Sequence, residues 1–271
     1  MYTGGEKIGI TDYNTIAITK ELMDSKPLVL TANTSTIYVT PILDTKKLGP
    51  MVIEIPSGML GAINDSWFNY VADFGPFGED KGLGGKYVIL PPNYEEELPK
   101  GYFIVRPKTY RTWIFLRGSI SNGLNMGVKN IEENLKIYPL NESKPKKMEF
   151  VDMSNTDINT VFGSDFSLYN NVNDIIQYEP YESLDPVTRG VFATIGIEKG
   201  KPFNPDLKEK KNLVDAAEIG NGIARSIAWR PRIKGNMNGL KLYPDKENNN
   251  WMKVAIDKNI FFNGRMVIQT T

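Results

Sequence analysis

Tyr110–Arg117 reads YRTWIFLR, and the period of this stretch decides the fold. In a strand, successive side chains point to opposite faces. Arg111, Trp113, Phe115 and Arg117 then share one face, and Tyr110, Thr112, Ile114 and Leu116 share the other. Both faces are mostly apolar, so the segment reads as a central strand covered on both sides. On the first face, two guanidinium groups bracket two aromatic rings. Arg111 and Arg117 either flank a cavity or pair with buried carboxylates, since an unpaired buried charge is costly.

Strand signals continue outward from this segment. Pro27–Thr40 (PLVLTANTSTIYVT) is rich in β-branched residues, and Pro50–Pro56 (PMVIEIP) is a short strand closed at both ends by proline. Trp67–Asp73, Lys86–Leu90 and Gly101–Val105 read as further strands. Turn clusters at Gly75–Gly85 (GPFGEDKGLGG) and Pro91–Pro99 (PPNYEEELP) separate them. Many short strands with such punctuation predict an antiparallel sandwich or barrel. Helical spacing takes over in the second half, at Gly127–Lys136, Asp165–Tyr178, the Asp185-Pro186 start and Asp206–Trp229. Gly220 and Gly222 inside the last of these predict a kink or close packing. A final strand pair is read at Trp251–Ile256 and Arg265–Gln269. The fold class is therefore α+β: a mainly antiparallel β sandwich or barrel first, with helices concentrated in the second half. The expected organisation is a β-rich lobe over 1–125, a helical lobe over 126–232 and a strand-forming tail over 233–271.

Composition excludes several chemistries. The 271 residues contain no cysteine and no histidine. Disulfides, thiolate nucleophiles, Ser-His-Asp and Cys-His arrangements and imidazole metal ligands are all ruled out. Lys plus Arg and Asp plus Glu both total 32. That balance gives no electrostatic footprint for nucleic acid or an anionic membrane. Met1–Ile10 lacks the pattern of a signal peptide, and no apolar run approaches the ~20 residues that span a bilayer. The chain is expected to be soluble, in a compartment the composition does not name.

Few constellations carry chemistry. Gly82–Lys86 (GLGGK) lacks the phosphate-loop spacing, with Tyr87 where a Ser or Thr belongs, and reads as a tight connection between strands. Trp67–Asp73 (WFNYVAD) as a strand puts Trp67, Asn69, Val71 and Asp73 on one face. That face either lines a polar cavity or leaves Asp73 to cap the glycine loop. Asn33 and Tyr38 alternate with Thr34 and Thr36 in the earlier strand. No pair of carboxylates has a spacing that singles it out for acid–base work. Candidate ligand-binding residues are Asn33, Tyr38, Trp67, Asp73, Asp80, Arg111 and Arg117, with no cofactor and no metal expected. The preferred function is a β-rich binding or structural module, accommodating a small organic or glycan ligand. The alternative is a hydrolase using carboxylates or an oxygen-ligated metal.

Six stretches together resemble the bacterial and viral proteins that carry the domain of unknown function 1254. They are TANTSTIY (31–38), LDTKKLGPMVIEIP (43–56), DSWFNYVADFGPFGEDKGLGGKYVILPP (65–92), KGYFIVRPKTYRTWIFLRG (100–118), EPYESLDPVTRGVFATIGIEKGKPFNPD (179–206) and AAEIGNGIARSIAWRPR (216–232). The resemblance implies a β-rich fold with helical additions, often exported, and no general activity. Where the family has Asn-x-Asp-Thr-x-Tyr, this chain has Ser35 at the acidic position, so any role of that carboxylate is not expected here. Relatives of this kind carry a second β-rich domain after the matching region and an additional helical segment before the position of Leu28, so this chain is expected to resemble the family's first domain standing nearly alone. The expected partners are therefore a second copy of the chain or a separate chain supplying the missing domain. Trp251, Phe261, Phe262 and Met266 are expected either to form an apolar surface that such a partner covers or to complete this domain's own core.

Overall fold

The computed structural model describes residues 12–26, 33–142, 144–157 and 163–229. It divides into two compact units, Met1–Asn159 and Thr160–Thr271. The expected tail strands, with Trp251, Phe261, Phe262 and Met266, lie outside the described residues, as does the Pro27–Ala32 part of the early strand.

The first unit is built on the YRTWIFLR segment. Strand β9 (Arg111–Ser119) is the centre of a seven-stranded sheet. Its other strands are β1 (Thr15–Ile18), β2 (Thr36–Thr40), β3 (Ile42–Asp44), β5 (Met59–Asp65), β6 (Tyr70–Phe74) and β11 (Glu149–Asp152). The path runs β11-β1-β2-β9-β5-β6, with β3 on the β2 side of β9. Val39 lies opposite Leu116 and Ile42 opposite Trp113, so β2 and β3 keep one register through Pro41. Pro41 has no N–H to give, but its carbonyl still accepts from the Ile114 amide at 3.0 Å. One of the two bonds of that rung survives, which shortens the strands without shifting them.

A four-stranded sheet holds β10 (Lys136–Pro139), β4 (Met51–Ile55), β7 (Gly85–Ile89) and β8 (Phe103–Val105), in that order. One core joins the two sheets. Ile16, Ile37, Val39, Ile63, Ile114 and Leu116 come from the first, and Met51, Ile53, Tyr87, Ile89 and Ile137 from the second. Helix α2 (Leu124–Asn134) adds Val128 and Ile131, and Leu135 follows at its end. The four-residue helix α1 (Thr45–Leu48) links β3 to β4. Strands thus continue well past residue 125. Most pairings are antiparallel as expected, but β1–β11 and β7–β8 are parallel. The β1–β11 pair joins segments far apart in sequence, which no local pattern announces.

Two features of the first unit differ from the sequence reading. Trp67–Asp73 is not one strand: β6 begins at Tyr70, and Trp67 to Asn69 form the turn from β5. A register shift between Ile63 and Asn64 then removes the simple alternation on β6. The second concerns coverage of β9. Thr112, Ile114, Leu116 and Gly118 are buried, whereas Arg111, Trp113, Phe115 and Arg117 are only half-buried. The strand is fully covered on one side only.

The glycine loop is ordered around one carboxylate. Asp80 is buried, and its Oδ1 accepts from the Gly75 amide at 2.7 Å and the Tyr87 hydroxyl at 2.6 Å. Its Oδ2 accepts from the Gly84 amide at 3.1 Å. Burial, with the Asp80 carboxylate beside it, pushes the Tyr87 hydroxyl well above its ordinary range. Gly75 and Gly84 have φ of +80° and +81°, and a Cβ there would lie 2.2 Å from the Met59 carbonyl and 2.6 Å from the Ile55 carbonyl. Both positions need glycine. The anion bound by these loop amides is the chain's own Asp80.

The second unit holds helices α3 (Ser167–Tyr178), α4 (Pro186–Ala193) and α5 (Leu207–Trp229). Asp185 caps α4 by accepting from the Val187 and Thr188 amides, with Pro186 in the first turn. Asp206 and Glu209 form a reciprocal capping box on α5, at 2.8 Å each way. The α5 helix runs through Gly220 and Gly222, and nothing lies within 4 Å of a Cβ at either. The expected close packing there is absent among the described residues. At the end of α3, the Lys199 ammonium donates to the Ile176, Gln177 and Glu179 carbonyls at 3.1, 2.8 and 2.6 Å. It supplies the donors that a helix C-terminus lacks.

Two variants test these locks. Asp80→Ala leaves buried amides without an acceptor and should cost about 3 kcal/mol in urea-unfolding free energy; an unchanged midpoint would contradict the assignment. Lys199→Met should cost about 2 kcal/mol and raise amide exchange at Glu179 and Gly200, without affecting exchange in β9.

Candidate functional site

The half-buried face of β9 gathers side chains from four neighbouring strands. Residues directly opposite in an antiparallel pair project to the same side. The first rung is Tyr38, Arg117 and Leu60; the second is Thr40, Phe115, Ala62 and Asp73. The third is Ile42, Trp113, Asn64 and Tyr70, and the fourth pairs Asp44 with Arg111.

An aromatic chain runs along these rungs. Phe68 stacks on Trp113 with centroids 5.5 Å apart, Trp113 meets Phe115 at 5.4 Å, and Phe115 meets Tyr38 at 5.2 Å. The Trp113 indole N–H donates to the Thr40 hydroxyl, which fixes the ring's azimuth on the sheet. Tyr38 is buried with Ala17 and Met153, a small cluster on this side of the sheet.

The two arginines occupy different environments. Arg111 lies 3.5 Å from the buried Asp44 carboxylate, Nε to Oδ2. Asp44 also caps α1 by accepting from the Lys46 amide. Arg117 has no such partner: among the described residues no carboxylate comes within ion-pairing distance of it. Its guanidinium sits 5.6 Å from the Tyr38 ring centroid and 5.7 Å from that of Phe115. Its Nε is buried and makes no hydrogen bond. The electron-rich ring faces partly compensate the charge, but they satisfy no N–H.

The turn that delivers Phe68 is held by Asp65. Its Oδ1 accepts from the Trp67 and Asn69 amides at 2.9 and 2.8 Å, and its Oδ2 accepts from the Asn69 side chain at 3.1 Å. Phe68 has φ of +63°, the left-handed region that a bulky residue adopts only under constraint. The Asn64 amide group donates to the Phe68 carbonyl at 3.2 Å, while its own Oδ1, fully buried, has no partner. Ser66 ties the turn to the start of β9 by donating to the Arg111 carbonyl.

The candidate residues therefore separate. Tyr38, Asp73, Arg111 and Arg117 share the half-buried face. Asn33 adjoins it: its amide donates to the Tyr38 hydroxyl at 2.8 Å, while its Oδ1 accepts from Ser35 and Thr36 and shapes the turn before β2. Trp67 lies in the β5–β6 turn rather than on a strand, so its expected face with Asn69 and Asp73 does not form. The Asp80 carboxylate is taken up by the glycine loop. Phe68, Asn64, Thr40 and Asp44 were missed. A signal for Phe68 was available in Asp65 and Asn69 flanking three residues, a spacing suited to a side-chain-closed turn. Among the described residues, no group of three or more carboxylates is placed to hold a metal ion.

These features define a class: an α+β domain of two sheets around one core, with an aromatic and guanidinium row on the outer face of its larger sheet. Residues 13–139 match the family described as protein of unknown function, DUF1254, in agreement with the resemblance read from the sequence. The match holds the stretches at 31–38, 43–56, 65–92 and 100–118, and ends before the two later ones. The VPA0106 protein from Vibrio parahaemolyticus is similar in structure, with a TM-score of 0.56 and 17% identity over 89% of this chain and 58% of that chain. This chain thus spans little more than half of VPA0106, and the likeness concerns the fold alone. No curated protein matches. No described helix is long and apolar enough to cross a membrane.

Burial raises the pKa of Asp65 above its ordinary 3.8, against the pull of the Trp67 and Asn69 donors. The folded state then binds this proton more tightly than the unfolded chain does. Its contribution is greatest below pH 3.8 and is lost as pH rises through the folded value. Relative to Asp65→Asn, the wild type should therefore gain stability as pH falls from 7 to about 4. Paired urea titrations would read this, and a difference independent of pH would contradict it.

Proposed function

We propose that the chain is a binding module whose recognition surface is the row Arg111, Trp113, Phe115 and Arg117. Tyr38 and Phe68, both buried, pack against its rings and hold them in place. The observation that carries this reading is the asymmetry of β9. Its inner side is sealed in the core, yet its outer side presents two large rings and two guanidinium groups, all half-buried. A sheet face serving only as a packing layer would not need two aromatic rings bracketed by cations. Rings fixed by neighbours offer flat contact area at little further entropic cost on binding. The ligand favoured is a small organic molecule or sugar that lies along the strand, held by stacking and oriented by the arginines. The chemistry is non-covalent. No histidine or cysteine exists in the chain, and the Asp80 and Asp44 carboxylates are already engaged by loop amides and by Arg111.

The test is native mass spectrometry of the protein purified from cells, with the Trp113 indole N–H resonance as a local reporter. Wild type should retain small-molecule mass and lose it in Trp113→Ala. The same extract, added back to stripped protein, should move the Trp113 resonance. A bare wild-type mass with an unmoved resonance would overturn the reading.

A further inference from the structure

Arg111 and Arg117 stand on the same strand and the same face, yet only one of them is neutralised. Asp44 lies against Arg111. Arg117 instead lies over Tyr38 and Phe115, with Leu60 opposite it on β5. An arginine carries five N–H donors in a planar fork that matches a carboxylate. Arg117 uses none of them within the described residues; its Nε is shut away from water, so the terminal N–H groups of the fork are the ones a ligand can reach.

We infer that Arg117 is the anchor for a carboxylate group on the ligand, whose body lies along Phe115 and Trp113. This rests on the binding reading above and deepens it by naming the charge and the polarity of the bound molecule. The geometry assigns a direction as well as a chemistry. The anionic end belongs at the Tyr38–Arg117–Leu60 rung, where the cation is unmatched. The body points towards the Trp113 rung, where Arg111 is already paired. Leu60 is 38% exposed, so the anionic end has apolar contact beside it. Tyr38 is locked beneath the guanidinium by the Asn33 amide and by its contact with Phe115. The guanidinium thus lies over a ring that is itself fixed in place. A carboxylate could come from an aromatic acid or from an acidic sugar, and both present the same two oxygens to the fork.

Two matched pairs of probes separate charge from shape: benzoate against benzamide, and glucuronate against glucose. Each is titrated into the whole chain while the Trp113 and Arg117 side-chain resonances are followed. At least one acid should bind about tenfold or more tightly than its neutral counterpart, as expected for a charge-assisted fork contact. The pair showing that preference identifies the source, aromatic or sugar. Arg117→Gln should abolish the preference, so that the acid binds no more tightly than its neutral counterpart. Arg117→Lys, which keeps the charge but loses the fork, should retain only part of it. Unchanged thermal unfolding of both variants guards against misfolding. Equal binding of acid and neutral probes would overturn the carboxylate assignment and leave the binding face standing. A preference that survives in Arg117→Gln would also overturn it. No response at Trp113 to any of the four probes would overturn both readings together.

Discussion

Strand β9 shares its backbone ladder with β2 and β3 along one edge and with β5 along the other. Each of its side chains must therefore go either into the core or onto the outer face, with no third option. A shift of one residue would bury Arg111 and Arg117 in the core and expel Ile114 and Leu116. The cost of stranding two guanidinium groups makes that register untenable. The placement of every other strand in the seven-stranded sheet follows from this constraint, because each is aligned on β9 directly or through one or two intervening strands.

Polar groups then hold the connections that the sheet cannot. Each does so by giving a loop's amides an internal acceptor. Asp80 gathers Gly75, Gly84 and Tyr87, Asp65 gathers Trp67 and Asn69, and Asn33 gathers Ser35 and Thr36. Buried backbone donors must be satisfied, and a short acidic or amide side chain does this at close range. The Asp65 turn has a consequence beyond local order. It forces Phe68 into the left-handed region, and the ring then stacks on Trp113. Local strain in the turn thus sets one end of the aromatic row.

The binding reading rests on how the outer face differs from an ordinary solvent-facing one. Such a face would carry short polar residues and mixed charges, as the four-stranded sheet does where Glu54 meets Lys86 at 3.0 Å. The Tyr138 hydroxyl donates to the same Glu54. On the larger sheet, by contrast, two guanidinium groups bracket two rings, and among the described residues only one of the two cations meets a protein anion. That inequality directs attention to Arg117 rather than to Arg111.

Some of this was legible in the sequence. The period of two in YRTWIFLR gives β9 and both of its faces. Asp185-Pro186 and the Asp206–Glu209 spacing give the starts of α4 and α5, since caps act within one turn. The absence of histidine and cysteine bounds the chemistry without any structure. The sequence could not say which face of β9 is sealed, because both faces are mostly apolar and the covering residues come from distant strands. Nor could it tell Arg111 from Arg117: the two are equivalent by period, and only the register of β3 brings Asp44 to one and not the other. The Trp67–Asp73 stretch was misread for a related reason. Its alternation is real in the sequence, but the Asp65 carboxylate closes a turn there, and side-chain bonds of that kind override pattern. Local periodicity determined the elements; long-range pairing decided which charges were matched.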